Sequence, residues 1–139
     1  MNTIADIKHA FFINLDSRPD RKQHVEGQLS LLGIPAQRFK AIKLKNGAIG
    51  CSMSHLKLLE TAKANNWPHI LIVEDDILFT NPSLFAEQLG HFLAKHKDFD
   101  VALFAGNNMP PYAVVDDACV RVSKCQTTTG YLVQRHYYD

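Results

Sequence analysis

What most limits the fold of this chain is a rhythm. Short unbroken apolar runs alternate with stretches of helical periodicity. The runs are KHAFFINL (8–15), HILIVE (69–74) and FDVALFAG (99–106), with a weaker one in PAQRFKAIKL (35–44). Apolar runs of this length without polar alternation read as strands covered on both faces. Between them, Val25, Leu29 and Leu32 fall at i, i+4, i+7, one face of a helix over 16–34. Asp16 or Ser17 can cap it, Pro19 suits its first turn and Gly33 its end. A second helix is expected over CSMSHLKLLETAKANN (51–66), with Met53, Leu56, Leu59 and Ala62 inward. A third covers 80–98, capped by Thr80 or Asn81, with Phe85, Leu89, Phe92 and Leu93 inward. KNGAIG (45–50) and NNMPPYAVVDDA (107–118) read as loops. CVRVSK (119–124) and TTTGYLVQ (127–134) read as two more strands, or a strand and a helix start.

This order predicts an α/β fold with a mostly parallel central sheet flanked by helices. The 139 residues suit one domain, 1–139. The ending TTTGYLVQRHYYD reads as an element entered and then cut, so the domain is expected to be incomplete at its C-terminus. Net charge is +1, with 15 basic against 14 acidic residues, which gives no global field toward nucleic acid or anionic membrane. The opening residues carry no apolar stretch long enough for a signal-peptide core or a membrane span. The three cysteines, Cys51, Cys119 and Cys125, form no CxxC pair. They are expected as reduced thiols rather than a structural zinc site, in a cytoplasmic protein.

The run Ile70–Val73 leads into Glu74, Asp75 and Asp76. Three adjacent carboxylates repel unless a cation or a proton relieves them. In open α/β sheets, ligands sit outside the carboxyl ends of the strands. The acids and Asn14 both lie at such ends. Strand alternation sends Glu74 and Asp76 to one side and Asp75 to the other. A capped strand end with solvated acids is the plainer alternative. Arg18 and Arg21 share a helix face at i, i+3, which serves either an anion or plain solvation. Ser54 and His55 are consecutive on a helix and point about 100° apart, so adjacency does not make them a nucleophile and its base.

Two families resemble this pattern. ILIVEDD resembles the first strand of bacterial receiver domains, and FDVALFAGNNMP resembles their phosphoacceptor strand. Yet the matching position is Ala105, a single helix separates the two strands, and half the chain precedes the acids. The second resemblance has four ordered parts. They are FFINLDSRPDRKQ, GAIGCSMSHLKLLETA, ILIVEDDILF and the weaker TTTGYLV. Together they resemble glycosyltransferase family 25, which includes lipooligosaccharide sugar transferases and collagen galactosyltransferases.

That resemblance implies a Rossmann-like GT-A fold and an inverting, metal-assisted transfer of galactose or a related hexose. The donor would be a UDP-sugar, the acceptor a hydroxyl of a glycan or glycoconjugate, and the metal Mn²⁺ or Mg²⁺. Asp76 is the metal ligand it favours, with Glu74 and Asp75 assisting or contacting ribose. Arg18 and Arg21 would face the diphosphate, Asn14 and Leu15 the uracil, and Ala41 the nucleoside. Ser54 and His55 would stand at the donor site, His55 either as a hydrogen-bonding group or as a satisfied, partly buried histidine. The loop after Ala41 departs from the family's usual Asp-Gly; Lys43 and Lys45 stand there, facing phosphate or water. Gly47 and Gly50 would allow close backbone approach. Asp116 and Asp117 are candidates for the catalytic base by position. The alternatives are a non-catalytic nucleotide-sugar or interaction module, and a degenerate receiver. Truncated sheet surface would favour a homo-oligomer.

Overall fold

A computed structural model describes residues 1–105 and 108–139 of the chain. After a short 3-10 turn, the order is β1 (Ala10–Asn14), α1 (Pro19–Leu31), β2 (Gln37–Lys40), α2 (Gly47–Ala64), β3 (His69–Glu74) and α3 (Pro82–Lys95). Then come β4 (Val101–Ala105), β5 (Asn108–Val114), β6 (Val120–Cys125) and β7 (Gly130–Gln134). The main sheet runs β2-β1-β3-β7-β4, and β5 pairs with β6 in a separate antiparallel hairpin. β1 is parallel to both β2 and β3. β7 is antiparallel to both β3 and β4. The sheet is therefore mixed: four strands share one direction, and β7 is inserted against them. Direction cannot be read from an apolar run, since either direction buries the same side chains.

Side-chain alternation divides the core into two layers. On one face Ala10, Phe12, Leu71, Val73 and Leu132 pack with Val25 and Leu29 of α1 and Leu89 and Leu93 of α3. On the other, Ile13, Ile70, Ile72, Tyr131 and Val133 pack with Leu58 and Ala62 of α2. The crossover through α1 carries the chain from β1 outward to β2; the crossover through α2 returns it to the far side of β1, as β3. Strand order thus reverses between β1 and β3, and it is outside the carboxyl ends at such a reversal that open α/β sheets place their ligand crevice.

Several local expectations need correction. The N-cap position of α1 is Arg18, without a side-chain cap bond, so neither Asp16 nor Ser17 caps it. Pro19 does open the helix, and Gly33 follows its end with φ +69, the left-handed conformation glycine tolerates. α2 starts earlier than expected: KNGAIG is not a loop, because Asn46 accepts from the N–H groups of Ala48 and Ile49 and Gly47–Gly50 form the first turn. Its inward face is Gly50, Ser54, Leu58 and Ala62. Met53 and Leu56 face solvent at 43% and 47% exposure. Hydrophobicity alone misplaced this face, since small residues at 50 and 54 permit close approach. A Cβ on Gly50 would stand 2.5 Å from the Ile42 carbonyl oxygen. The α3 reading holds: Asn81 caps Leu84, Leu89 and Leu93 are buried, and Phe85 and Phe92 pack against the same core. Much of the expected loop at 107–118 is instead β5; Asn107 lies outside the described residues.

Candidate functional site

The carboxyl ends of β1 and β3 gather the charged residues, and sheet alternation sorts them. Ile70 and Ile72 face α2, so Glu74 also faces α2; Leu71 and Val73 face α1, and Asp75 continues that side. Asn14 follows Ala10 and Phe12 onto the α1 side. Glu74 and Asp75 thus point to opposite faces, as alternation requires. The strand ends at Glu74, and Asp76 lies in the following turn, exposed.

Asp75 is 8% exposed and Asn14 only 1%. The Asn14 amide donates to Asp75 Oδ2 at 2.9 Å and to the Arg18 carbonyl at 3.0 Å. Its oxygen accepts from Arg38 Nε at 3.0 Å. Both amide hydrogens are taken, so Asn14 holds the acid and the start of α1 in place. It is not a side chain open to a nucleoside. Arg21 Nη1 stands 3.5 Å from Asp75 Oδ1 and supplies positive charge. Arg38 also bonds the Asn14 carbonyl at 3.1 Å and Asp16 Oδ1 at 2.7 Å. Hydrogen bonds from Arg38 and Lys40 hold the Asp16 carboxyl below its ordinary range.

Glu74 belongs to a second arrangement. His55 Nε2 lies 3.2 Å from its Oε1, and His55 Nδ1 lies 2.7 Å from the Tyr131 hydroxyl. The two rings stack with centroids 5.5 Å apart. Burial, then the Glu74 charge, pushes the Tyr131 hydroxyl well above its ordinary value, so it keeps its proton and donates. The assignment consistent with this is Tyr131 O–H to Nδ1 and Nε2–H to the Glu74 carboxylate. Cys51 Sγ lies 3.7 Å from Glu74 Oε1. Burial and then Glu74 push that thiol up, so it stays protonated. One ligand atom each from Cys51, His55 and Glu74 falls within a 4.8 Å span, the spacing of a possible metal site.

The crowding of three acids is thus relieved by the chain itself: Arg21 and Asn14 for Asp75, His55 for Glu74, and solvent for Asp76. Arg18, expected at the diphosphate, forms a two-bond pair with Asp20 at 3.0 and 2.8 Å. Leu15 is half-buried after β1. Ala41 is half-buried and donates its N–H to the Asn14 carbonyl at 3.0 Å. Ser54 is buried; its hydroxyl donates to the Gly50 carbonyl and accepts from Ile42 N–H, each at 2.9 Å. Its work is to lock α2 onto the chain after β2. Lys43 and Lys45 are exposed. Nothing stands within 4 Å of a Cβ built on Gly47, so the close approach belongs to Gly50.

Asp116 is not brought to this edge. It pairs with His96 and Lys95 at the end of α3, and His96 lines a hollow with Pro68, His69 and Gln134 beside the start of β3. A strand of this length separates its two ends by roughly 17 Å. Asp117 neighbours Asp116 and is exposed. Arg38 and Tyr131 were not foreseen as site residues. The Arg38 signal lies in pairing: it is the register partner of Phe12 on parallel β1, two residues before Asn14. Tyr131 pairs with Ile72 on β3, which sets it on the Glu74 face.

The model of the family described as "Glycosyltransferase family 25 (LPS biosynthesis protein)" matches residues 7–48 and 43–137. A Haemophilus influenzae protein named "Putative glycosyltransferase" is 30% identical, over 50% of this chain and 33% of its own length. A "Glycosyltransferase 25 family member" of Aedes aegypti is 28% identical, over 52% of this chain and 17% of its own. Another of that name, from Drosophila pseudoobscura pseudoobscura, is 27% identical over 52% and 16%. The matched segment thus spans a third or less of each of these relatives. Among the described residues, no helix is long and apolar enough to cross a membrane.

Proposed function

Because the chain belongs to glycosyltransferase family 25, we propose that it binds a UDP-sugar and transfers its hexose, galactose or a near relative, to a glycan hydroxyl. The fold fits a GT-A reading: a nucleotide at the β1/β3 crevice, where strand order reverses. The observation that carries the proposal is the cluster at that crevice. At the end of β3, Asp75 meets Asn14 of β1 and Arg21 at the start of α1, Glu74 meets His55 of α2, and Asp76 stands exposed beside them.

The donor set fits a hard divalent cation. It is rich in carboxylate oxygen, and Asp76 stands exposed at the strand end. Mn²⁺ or Mg²⁺ would be held by Asp76, with Glu74 as the further carboxylate. Such an ion, when bound, neutralises charge that builds on a departing diphosphate. Asp75 is better suited to positioning, since both of its oxygens already have protein partners. Arg21 balances Asp75 and lies beside the crevice, within reach of an anion. Arg18 would reach phosphate only after leaving Asp20. His55, held by Tyr131, orients the Glu74 carboxylate by donating to it. Inverting transfer also needs a base for the acceptor hydroxyl. Asp116 stands at the opposite edge, so it is not proposed for that role.

The test is UDP titration with and without Mn²⁺, in the wild type and in Asp76→Asn, followed by turnover of UDP-galactose. Mn²⁺ is expected to tighten UDP binding at least tenfold in the wild type and much less in the variant. Equal binding in both proteins would remove Asp76 as ligand. Failure of the wild type to bind UDP would overturn the donor reading. Binding without transfer or hydrolysis would identify a binding module instead.

A further inference from the structure

The two-stranded hairpin β5–β6 stands apart from the main sheet. An isolated two-stranded ribbon is marginally stable in water. Its connection, between Val114 and Val120, bends back to the end of α3. There, His96 Nε2 lies 2.6 Å from Asp116 Oδ2, Cys119 Sγ lies 3.8 Å from His96 Nε2, and Cys119 Sγ lies 3.5 Å from Asp116 Oδ1. The three ligand atoms fit within 4.8 Å. A tetrahedral Zn²⁺ with bonds of about 2.0–2.3 Å sets its ligand atoms roughly 3.3–3.6 Å apart. The 3.8 Å between Cys119 Sγ and His96 Nε2 is already near that spacing. With Asp116 Oδ2 as the ligand oxygen, its distance to His96 needs to open by about 0.7 Å, as the ion replaces their hydrogen bond.

We propose that His96, Asp116 and Cys119 form a zinc site that staples the β5–β6 hairpin to the C-terminal end of α3. The absence of CxxC does not argue against it. Asp116 and Cys119 have the same i, i+3 spacing, with an aspartate in place of the first cysteine. The turn presents both residues to one point: Asp116 Oδ1 accepts from the N–H groups of Ala118 at 2.8 Å and Cys119 at 3.1 Å. Such outer bonds orient a carboxylate ligand. The third ligand comes from a different element, so binding ties two parts of the fold together. One nitrogen, one oxygen and one sulfur suit zinc better than Mg²⁺ or Ca²⁺, and solvent can fill the fourth position. Lys95 Nζ, 3.5 Å from Asp116 and well exposed, can swing into solvent as the ion arrives. The Cys119 thiol loses one proton to solvent on binding, while His96 coordinates in its neutral form.

The test uses the whole chain, first stripped with a chelator, then titrated with Zn²⁺ and separately with Co²⁺. The expected result is one equivalent bound with a thiolate-to-cobalt absorption band, about one proton released, and a raised Tm. The band should vanish in Cys119→Ser, weaken in His96→Gln and survive in Cys51→Ser. In the wild type, Zn²⁺ should slow alkylation of Cys119 at least tenfold, a reading that needs no variant to fold. No thiolate band in the wild type, or unchanged alkylation of Cys119, overturns the proposal. Loss of the band in Cys51→Ser but not in Cys119→Ser assigns the ion to Cys51, His55 and Glu74 and likewise overturns it. UDP binding is not read in any of these measurements, so the zinc site and the donor site stand or fall separately.

Discussion

Two triplets in this molecule have the same composition, a cysteine, a histidine and an acid: Cys51–His55–Glu74 and Cys119–His96–Asp116. They stand at opposite ends of the sheet. In the first, α2 and the ends of β3 and β7 supply all parts, and Tyr131 occupies the second nitrogen of the histidine. In the second, the acid sits in a hairpin turn. Hydrogen bonds from His96, then from the Ala118 N–H, hold the Asp116 carboxyl well below its ordinary range. Residue types alone do not set a site's chemistry; what neighbours them does. Glu74 adjoins two more acids and an arginine-bearing helix, a setting for a charged, oxygen-rich ligand. Asp116 adjoins backbone donors and an exposed lysine side chain, a setting for a compact cross-link.

The largest effect should come from the second end, through His69. It is buried, and its Nε2 accepts from Lys8 N–H at 3.0 Å, which requires the neutral ring. Burial, then nearby His9, lowers its pKa to about 4. The unfolded chain therefore binds more protons between the ordinary histidine value of roughly 6.5 and the folded value. Stability should be full above that upper limit and fall by up to about 3 kcal/mol as pH drops through the window. Urea titrations at several pH values check this, and His69→Gln should flatten the slope. A slope of opposite sign would show that the ring is charged when folded.

At the first end, Asp75→Ala removes the partner of a fully buried amide and of Arg21. It should cost about 2 kcal/mol of unfolding free energy, measured by urea denaturation. Tyr131→Phe deletes only the donor to His55 and should cost about 1 kcal/mol. The nitrogen resonances of His55 should report the lost bond by NMR. Asp76→Asn, at an exposed turn, should change stability by less than about 0.5 kcal/mol. If Asp76→Asn proved more damaging to folding than Asp75→Ala, the division between a positioning acid and a ligand acid would fail.

The strands β1 and β3 and the cores of α1 and α3 were legible because long apolar runs and i, i+4 spacing report burial directly. Residues 45–50 were misread because glycine and asparagine signal loops, whereas here Asn46 caps and Gly50 packs a helix. Met53 and Leu56 were misread for a related reason: Ser54, a polar residue, satisfies its hydroxyl within α2 and takes the buried position. The acids were legible as a group at a strand end. Arg38 was not, because its reach to Asn14 depends on β2 lying beside β1, and no local pattern encodes a neighbour 24 residues away.

By itself, the sequence determined the periodicities, and with them which residues are buried in most elements and which end of β3 carries the charge. It also determined the ordered motifs by which the family is recognised. Only the tertiary structure decided the partners. It set β7 antiparallel between β3 and β4, which put Tyr131 behind His55. It gave Asp75 its arginine and moved Asp116 to the far edge. Burial follows from local spacing, but a charge's partner is chosen by which strands and helices become neighbours, through contacts between residues distant in the chain.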